Sequence, residues 1–393
     1  MQNDRYDIVV IGAGINGVGV AQAAAAMGYR CLLLEKNAQP GLETSSRSSK
    51  LIHGGLRYLE SFEWSLVRES LQERELLLKL APELVTLQTF NIPVYSGTSR
   101  SRVALHTGLS LYALLSGLQP HSLYHRLKPA YWDRLEGLTT QNLKAVFQYQ
   151  DAQTDDQALT RAVLASAISL GAEYQCNAEM LQATMLDQQL IIRYRQNHTE
   201  KEISSRVMVN ASGPWVYSLN QRISPQSQMQ QPELVQGAHL VLNASIQQAF
   251  YMEATQDRRA VFLLPWKGKA LLGTTENSYH GNPSTVTVLE QEKNYLLNIY
   301  RQYFPGRDTQ IIAEMAGLRV LPASAKAAFK RSRDIVLETD RRYQPRVISM
   351  LGGKLTVYRT TALKVMQLLQ PSLPASKAIA DTAQLTISPV DSL

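Results

Sequence analysis

The sequence has few cysteines, no long apolar run and no cluster of basic residues of the nucleic-acid-binding kind. Its two cysteines, Cys31 and Cys176, each lie in an apolar stretch, so two buried thiols are favoured over a disulfide. No apolar run reaches the roughly 20 residues that a membrane-spanning helix needs. The N-terminal MQNDRYDIVV carries acidic residues and leads into a strand, unlike a signal peptide. These absences predict a cytoplasmic protein in a reducing compartment.

The scarcity of basic clusters limits what the formal net charge of +7 can mean. Basic residues are scattered apart from KRSR at 330–333, so no nucleic-acid partner is expected. The remaining partners that would explain the positive charge are an anionic membrane surface and an anionic small substrate. The apolar segment 103–118 is too short to span a membrane and predicts either a core helix or a membrane-contacting face. His121 and His125 have helical spacing but lack a third ligand nearby, so no metal site is expected.

What the sequence does contain is the composition of a well-buried globular protein, 45% hydrophobic and 19% charged over 393 residues. It opens with an apolar strand at 8–11, an alanine-rich helix that ends near Gly28, and a second apolar strand at 31–34. A βαβ unit of this size, about 30 residues, is what a dinucleotide-binding fold requires. The first domain is therefore predicted to be Rossmann-like.

Three glycines, Gly12, Gly14 and Gly17, form a G-x-G-x-x-G pattern between that strand and that helix. Gly12 permits the tight turn, Gly14 lets the backbone approach a pyrophosphate, and Gly17 lets the helix pack closely on the strand. The phosphates then lie at a helix N-terminus, whose free N–H groups favour negative charge. Glu35, at the end of the second strand, is placed to accept ribose hydroxyls and would repel a 2′-phosphate. The pattern predicts NAD or FAD.

Two further glycine sites favour FAD over NAD. An apolar strand that begins near 207 ends in Ala211-Ser212-Gly213, and another that begins near 347 ends in Gly352-Gly353 and leads into a helix. FAD is long and must be held at its pyrophosphate and at its flavin end, whereas NAD needs only the first glycine site. Either site alone fits an ordinary turn. Both together, at the ends of apolar strands, favour FAD.

Between about 220 and 345 the chain becomes rich in short apolar strands, with one helix near 288–303. This change predicts a second, mainly antiparallel domain inserted between pieces of the first. The predicted fold class is α/β, with a Rossmann-like FAD-binding domain and an interleaved, mainly antiparallel substrate domain. The FAD-binding domain is assigned to 1–88, 145–220 and 344–372, the substrate domain to 89–144 and 221–343, and a C-terminal tail to 373–393.

The stretch TSSRSSKLIHGGLRYLE at 44–60 is the most specific signal in the sequence. Together with GAGINGVG, NASGPW, GLRVLP and GGKLTVYR, in this order and spacing, it resembles the FAD-dependent, quinone-reducing glycerol-3-phosphate dehydrogenases. That family is among the D-amino-acid-oxidase-like, glutathione-reductase-type flavoproteins, and the resemblance covers residues 5–368. Its members often continue into a helical C-terminal domain, which this protein is expected to lack, and 119–144 does not clearly follow the family.

The resemblance implies a function and a set of site residues. The implied reaction is FAD-dependent oxidation of sn-glycerol 3-phosphate to dihydroxyacetone phosphate, with electrons passed to quinone by a peripheral enzyme at the inner face of the cell membrane. The implied catalytic residues are His53, His239 and Arg319, and the substrate-binding residues are Arg57, Tyr58, Arg333 and Lys354. The resemblance places Lys50 and Leu51 beside the flavin ring. The full set of predicted cofactor contacts, including the glycines and Glu35 inferred above, is Gly12, Gly14, Gly17, Glu35, Thr44, Ser45, Ser46, Ser49, Lys50, Leu51, Gly213, Gly352, Gly353, Lys354, Leu355 and Thr356.

Elementary chemistry agrees with these roles. A phosphorylated alcohol needs cations, and the planar fork of arginine binds phosphate through paired hydrogen bonds. Hydride transfer from the carbinol carbon to flavin N5 needs a base for the hydroxyl proton. Histidine, with a reference pKa of about 6.5, suits this role, whereas an arginine stabilises the developing alkoxide. His53 and His239 are equal candidates for the base, and His53 alternatively braces the Gly54-Gly55 turn.

The arginines have different local settings, and other functions stay open. Arg319 has no obvious acidic neighbour in AGLRVLP, which favours a role in the site, whereas Arg57 has Glu60 or Glu63 as an alternative partner. A flavoenzyme of the same fold could oxidise another anionic alcohol, a 2-hydroxy acid or an amino acid. It would use one arginine for a carboxylate and would not need Arg319, Arg333 and Lys354 together. A non-catalytic flavoprotein is the remaining alternative.

Overall fold

The computed structural model describes residues 5–226, 228–323 and 334–391. The predicted phosphate ligand Arg333 lies outside these residues. The described helices are α1 Ile15–Ala26, α2 Arg57–Glu60, α3 Trp64–Leu80, α4 Arg102–Leu115, α5 Asp156–Ser169, α6 Val216–Asn220, α7 Glu290–Tyr303 and α8 Tyr358–Leu369. The described strands are β1 Arg5–Ile11, β2 Cys31–Leu34, β3 Leu51–Ile52, β4 Val85–Tyr95, β5 His125–Arg126, β6 Leu143–Thr154, β7 Glu173–Gln175, β8 Ala178–Met185, β9 Leu190–Gln196, β10 Thr199–Asn210, β11 Ile223–Ser224, β12 Glu233–Leu242, β13 Ala249–Glu253, β14 Ala260–Trp266, β15 Lys269–Gly273, β16 Asn277–Tyr279, β17 Ile311–Leu321, β18 Val336–Thr339 and β19 Val347–Leu351.

Polar side chains mark where two of the helices begin. Asp155 accepts a hydrogen bond from the Ala158 N–H at the start of α5 (3.1 Å), and Ser101 accepts one from the Ala104 N–H at the start of α4 (3.1 Å). The first helix differs, because Gly14 stands at the capping position of α1 and has no side chain to cap it. The N-terminal amides of α1 therefore depend on other parts of the chain or on a ligand.

The first sheet has the topology of a dinucleotide-binding domain. Nine strands form it within the described residues, and at its centre β19, β10, β1 and β2 run parallel. Side chains of α1, α5 and α8 join one face of these strands in a single core. Alanine and glycine in α1 allow this close packing, since a Cβ at Gly19 would lie 2.8 Å from the ring of Tyr358. The predicted Rossmann-like layer is present.

The second sheet is mainly antiparallel and comprises ten of the described strands. β12 pairs with β15, β16 and β17, and β4 pairs with β6 along nearly its whole length. α7 packs on this sheet in a core of its own, while α3 and α4 contribute to a separate core with β4 and β6. Both faces of the second sheet are thus covered by apolar side chains, which explains why the short strands of 220–345 are apolar.

Sheet membership differs from the predicted domain boundaries at several strands, among them β6 and β18. The boundary at 145 assigns most of β6 to the FAD-binding domain, but β6 pairs with β4 and lies in the second sheet. β18 falls in the predicted substrate domain, yet it pairs with β19 and extends the first sheet. The tail packs on the first layer, where the Ile379 N–H donates to Ala26 O at 2.8 Å. Pairing between distant strands, which the pattern within one strand does not encode, decides these memberships.

Helix α4 covers most of the apolar segment 103–118 and has two different faces. Leu105, Leu109 and Tyr112 are buried, whereas Val103 and Leu114 are 73% and 60% exposed. One face is therefore core and the other is exposed apolar surface. None of the described helices combines the length and the hydropathy needed to cross a bilayer.

Candidate cofactor and substrate site

A cleft with a cavity volume of about 350 Å³ runs along the carboxyl ends of the central strands of the first sheet. β1, β10 and β19 each end there in a turn that contains glycine, and these turns line the cleft with Gly12, Gly213 and Gly352. Ligands of open α/β sheets bind at this edge, where the strands point their carboxyl ends. The glycine sites inferred separately from the sequence thus meet in one place.

Gly12 and Gly17 have no room for a side chain. Gly12 has a φ of +102°, which glycine adopts readily, and a Cβ there would lie 2.7 Å from Ala211 O. A Cβ at Gly17 would overlap the carbonyl oxygen of Gly12. Gly14 lines the cleft at the start of α1, while Gly17 packs behind it. The backbone itself therefore forms this wall of the cleft.

Glu35 reaches the cleft from the end of β2. Its carboxylate accepts hydrogen bonds from the Ala13 N–H at 2.6 Å and the Asn37 N–H at 2.9 Å. Burial raises its pKa, although these hydrogen bonds oppose the shift. Lys36 Nζ lies 3.1 Å from the ring centroid of Trp215, and both residues line the same cleft. Sequence reasoning missed this pair; the tryptophan that follows the Gly213 turn was the available signal.

The hydroxyls at 44–49 hold their segment in place as well as lining the cleft. Thr44 Oγ1 donates to a backbone carbonyl of β17 at 2.8 Å, and Ser45 Oγ accepts from the first backbone N–H of α1 at 2.9 Å. Ser46 bonds to carbonyls of its own turn and does not line the cleft. The hydroxyl-rich segment is thereby fixed to β17 of the second sheet and to the start of α1.

Lys50 is buried behind this segment. Its Nζ lies 2.5 Å from Asp156 Oδ1, with the two side chains 3% and 0% exposed. The Ser48 N–H and Oγ donate to the other carboxylate oxygen at 3.0 and 2.7 Å. The ion pair holds the Lys50 side chain at Asp156, and Lys50 does not line the cleft. Ser48 and Asp156 do line the cleft and were not predicted; a carboxylate in the first turn of α5 was the available signal.

His53 lies between β3 and α2 and lines the cleft. Its backbone N–H donates to Thr356 Oγ1 at 3.1 Å, in the turn that precedes α8. The next amide, that of Gly54, donates to the Tyr112 hydroxyl at 2.9 Å. Hydrogen bonds from two separate elements therefore fix the backbone at this histidine.

His239, the other candidate base, has a different environment. It lies in β12, is 1% exposed and does not line the cleft. Its Nε2 is 2.9 Å from Ser49 Oγ. Burial, with smaller contributions from the charges of Arg319 and Lys50, lowers its pKa to about 3. A neutral His239 thus orients a hydroxyl that lines the cleft, whereas His53 faces the cleft itself.

Arg319 lines the cleft from β17. Its Nη1 lies 3.6 Å from Glu276 Oε1, and its Nη2 lies 3.4 Å from Thr274 Oγ1. This finding corrects the expectation that Arg319 has no acidic neighbour. The neighbour comes from the connection between β15 and β16, which strand pairing through β12 brings beside β17. Partners of this kind orient the guanidinium fork.

Two cations gather around Tyr58. Lys354 Nζ lies 4.0 Å from the ring centroid and the Arg57 guanidinium carbon 5.2 Å from it. Tyr58 and Lys354 line the cleft, whereas Arg57 lines a second cavity between α2 and α4. Arg57 Nη2 is buried and has no hydrogen-bond partner within the described residues. Its alternative partner Glu60 pairs with Arg100 instead, at 2.5 Å.

The residues of the cleft fit a dinucleotide that carries a flavin. The start of α1 lacks a capping side chain of its own, as a phosphate site requires. Asn16 Oδ1 lines the cleft and is buried without a hydrogen-bond partner in the described part of the chain. A Cβ at Gly353 would lie 2.6 Å from the side-chain nitrogen Nδ2 of Asn16. A buried amide oxygen without a hydrogen bond costs folding free energy unless a bound ligand donates one to it. Asn16 was not predicted, although it lies inside the glycine fingerprint.

The structure brings most of the predicted site residues together. Those that line the cleft are Gly12, Gly14, Glu35, Thr44, Ser45, Ser49, Leu51, His53, Tyr58, Gly213, Arg319, Gly352, Gly353, Lys354, Leu355 and Thr356. Those that do not are Gly17, Ser46, Lys50, Arg57 and His239. Among the described residues no group of His, Cys, Asp or Glu side chains is arranged to hold a metal ion. His121 Nε2 instead lies 2.8 Å from Glu75.

Comparison with known proteins agrees with this geometry. Residues 7–359 match the family described as FAD dependent oxidoreductase. A glycerol-3-phosphate dehydrogenase from Synechocystis is 34% identical over 384 residues, covering 91% of this chain and 69% of that protein. A D-erythritol 1-phosphate dehydrogenase from Brucella abortus is 32% identical over 391 residues, covering 94% of this chain and 75% of that protein. The resemblance to glycerol-3-phosphate dehydrogenases is confirmed.

A solved structure also shares the fold. The glycerol-3-phosphate dehydrogenase from Bacillus halodurans, crystallised with FAD, superposes with a TM-score of 0.71 at 24% identity. The match covers 98% of this chain and 68% of that one. The predicted α/β fold with an FAD-binding domain is confirmed. The chain belongs to the FAD-dependent oxidoreductase family, and FAD is its cofactor.

Proposed function

We propose that this chain oxidises sn-glycerol 3-phosphate to dihydroxyacetone phosphate. The observation that carries the proposal is the positive charge at one end of the cleft. Arg319 and Lys354 line that end, and Arg57, with its buried unpaired Nη2, lies over the same tyrosine ring as Lys354. A phosphate group provides the acceptor oxygens that such cations need. The relatives named glycerol-3-phosphate dehydrogenase support the assignment.

The residues of the cleft divide the work of the reaction. Lys354 binds the phosphate oxygens, and the charge of Arg57 beside the same Tyr58 ring adds to the attraction. Arg319, oriented by Glu276, stabilises negative charge on the substrate oxygen as it loses its proton. His53 accepts that proton, because His53 lines the cleft and His239 does not. Bound FAD supplies the acceptor for the hydride that leaves the carbinol carbon.

A longer polyol phosphate is a second candidate substrate. The Brucella abortus relative is named D-erythritol 1-phosphate dehydrogenase and is nearly as similar to this chain as the glycerol-3-phosphate dehydrogenases are. Both substrates place a phosphate next to a hydroxyl-bearing carbon chain, so the same cations serve both. A 2-hydroxy acid or an amino acid would leave part of this charge uncompensated.

Anaerobic flavin bleaching tests the proposal. Protein loaded with FAD is mixed with sn-glycerol 3-phosphate, D-erythritol 1-phosphate, glycerol, glycine or a 2-hydroxy acid, and flavin absorbance is followed. The proposal expects rapid bleaching by glycerol 3-phosphate and little by unphosphorylated glycerol. Faster bleaching by D-erythritol 1-phosphate would favour the second candidate, and bleaching by the amino acid or hydroxy acid alone would refute both.

Replacing Arg319 tests the proposed site. Arg319→Ala removes a positioned donor from the reacting oxygen, so kcat/KM for flavin reduction should fall by about 100-fold or more. Arg195→Ala, an exposed position on β9, is the matched control and should change little. Unchanged kinetics in Arg319→Ala would remove this residue from the site.

We further propose that electrons pass to a quinone and that the chain docks on an anionic membrane surface through α4. Residues 84–132 contain no Asp or Glu, so this region is positively charged. The apolar side chains of Val103, Leu114 and Leu118 are exposed on the same helix region. Basic charge beside exposed apolar side chains suits an anionic lipid surface.

Vesicle binding tests this surface. The protein should co-sediment with vesicles that contain phosphatidylserine more than with phosphatidylcholine vesicles. Leu114→Glu should weaken this binding, while Leu186→Glu, at a comparably exposed position between β8 and β9, should not. Reoxidation of the bleached flavin by a water-soluble ubiquinone analogue, compared with oxygen, tests the acceptor; preference for oxygen would refute the quinone assignment.

A further inference from the structure

A buried polar network of residues that do not line the cleft reaches the His53 turn. The Tyr112 hydroxyl of α4 accepts from the Gly54 N–H at 2.9 Å and donates to Asp151 Oδ2 of β6 at 2.6 Å. Arg74 Nη1 of α3 donates to Asp151 Oδ1 at 2.8 Å. Tyr112, Asp151 and Arg74 are at most 2% exposed. Three elements that are distant in sequence thus meet at one backbone amide.

The network fixes the direction of its hydrogen bonds. Arg74 and Asp151 form a buried ion pair, so the carboxylate is held in one place. Burial, and then the charge of Asp151, raise the pKa of Tyr112 well above its ordinary value, so its proton remains on the hydroxyl. Because that proton points to Asp151, the lone pairs of the oxygen face the Gly54 N–H.

Close packing makes this contact demanding. A Cβ at Gly54 would lie 2.8 Å from the Tyr112 hydroxyl oxygen and 2.8 Å from Leu71 Cγ. Gly55 has a φ of +80°, and a Cβ there would overlap the ring of Tyr58. The paired glycines therefore let the turn fit between two tyrosines, one from the network and one from the cleft.

We propose that Tyr112 is a positioning residue for His53. The Thr356 hydroxyl holds the N–H of His53, and Tyr112 holds the next amide, so the two contacts set the direction in which the imidazole enters the cleft. This role rests on the proposed function, because the network would position His53, the base of that reaction. The Tyr112–Asp151–Arg74 network thereby has a role in the chemistry, although it lies outside the cleft.

A matched pair of tyrosine variants separates positioning from stability. Tyr303 is also buried, and its hydroxyl likewise accepts from and donates to the backbone of Glu253, at 3.1 and 2.9 Å, in the core beneath the second sheet. Tyr112→Phe and Tyr303→Phe therefore remove the same kind of group. Tyr112→Phe should lower the limiting rate of flavin reduction roughly 10- to 100-fold with little change in KM, while Tyr303→Phe should not.

A double-mutant cycle with His53→Ala tests the target. If Tyr112 acts through His53, Tyr112→Phe has no more than about a twofold further effect in the His53→Ala background. Equal rates in the two Tyr→Phe variants, or losses that multiply in the cycle, would overturn the proposal while the bleaching activity stands.

Amide hydrogen exchange of the 51–58 segment supplies a readout that needs no substrate. Tyr112→Phe should speed exchange there, since Gly54 loses its acceptor, and Tyr303→Phe should not. If the wild-type protein is bleached by none of the substrates, the proposed function fails. Unchanged exchange in Tyr112→Phe would then overturn the positioning role as well, and faster exchange would uphold it.

Discussion

The two ends of the cleft are built in different ways. At the nucleotide end the wall is backbone, formed by Gly12 and Gly14 and completed by one carboxylate, Glu35. At the proposed substrate end the wall includes charged and aromatic residues from several elements, among them Arg319 and Lys354. The first end depends on side chains being absent, the second on side chains being held by partners elsewhere in the chain. A change that harms one end should therefore leave the other largely intact.

Removing a buried charge beside the hydroxyl-rich segment should have the largest effect on the free energy of unfolding. Asp156→Asn leaves the Lys50 ammonium buried without its anion, which should lower the free energy of unfolding by about 3–5 kcal/mol. Urea unfolding of the FAD-loaded protein measures the loss.

The neighbouring aspartate is the control for that change. Asp155→Asn keeps an oxygen at the start of α5 and loses only a pair with Lys267, whose side chain is 69% exposed. It should cost less than about 1 kcal/mol. Equal losses in the two variants would mean that the buried pair does not set the stability of this segment.

Adding one methyl group should damage the nucleotide end by a smaller amount. In Gly17→Ala the new Cβ meets a backbone carbonyl, which cannot rotate away, so the turn must open at a cost of about 3 kcal/mol. FAD content per protein, from visible absorbance, should fall with it. Gly108→Ala in α4 is the control, since no atom lies within 4 Å of its Cβ, and it should be neutral or slightly stabilising. Full FAD content in Gly17→Ala would refute the claim that the turn leaves no room for a side chain at this position.

The contrast between the ends also explains which features the sequence could predict. Gly12, Gly14, Gly17 and Glu35 lie in one βαβ unit, where motif spacing determines geometry. The resemblance to a known family supplied most of the remaining cleft residues. Partners were harder to predict, because Asp156 lies more than a hundred residues from Lys50, and Glu276 reaches Arg319 only through strand pairing. Such contacts depend on sheet order, which one sequence does not state.

The second sheet was predicted as a layer but not in its pairing. Short apolar strands indicated an antiparallel domain, and the structure has one. The strand that contains Ala152 reads equally well as a member of either sheet, and only its pairing with β4 assigns it to the second. The buried network of Arg74, Tyr112 and Asp151 could not be inferred either, since each residue alone fits a solvated or core position.

The smallest expected effect concerns the histidine behind the substrate end. His239 has a folded-state pKa of about 3, below the ~6.5 of an unfolded chain, so its neutral form stabilises the fold. That contribution is complete above about pH 6.5 and is lost as the pH falls toward 3. Between pH 6.5 and 5 the wild-type protein should lose about 2 kcal/mol more unfolding free energy than His239→Gln, as measured by urea unfolding. Parallel pH profiles would contradict this.

The pH dependence of flavin reduction distinguishes the two histidines in catalysis. A His239 that stays neutral from pH 5 to 8 cannot produce a titration in the rate of flavin reduction over that range. If His53 is the base, a titration in that rate should disappear in His53→Ala and persist in His239→Gln. The opposite result would transfer the role of base to the buried histidine and would require the cleft to open as far as β12.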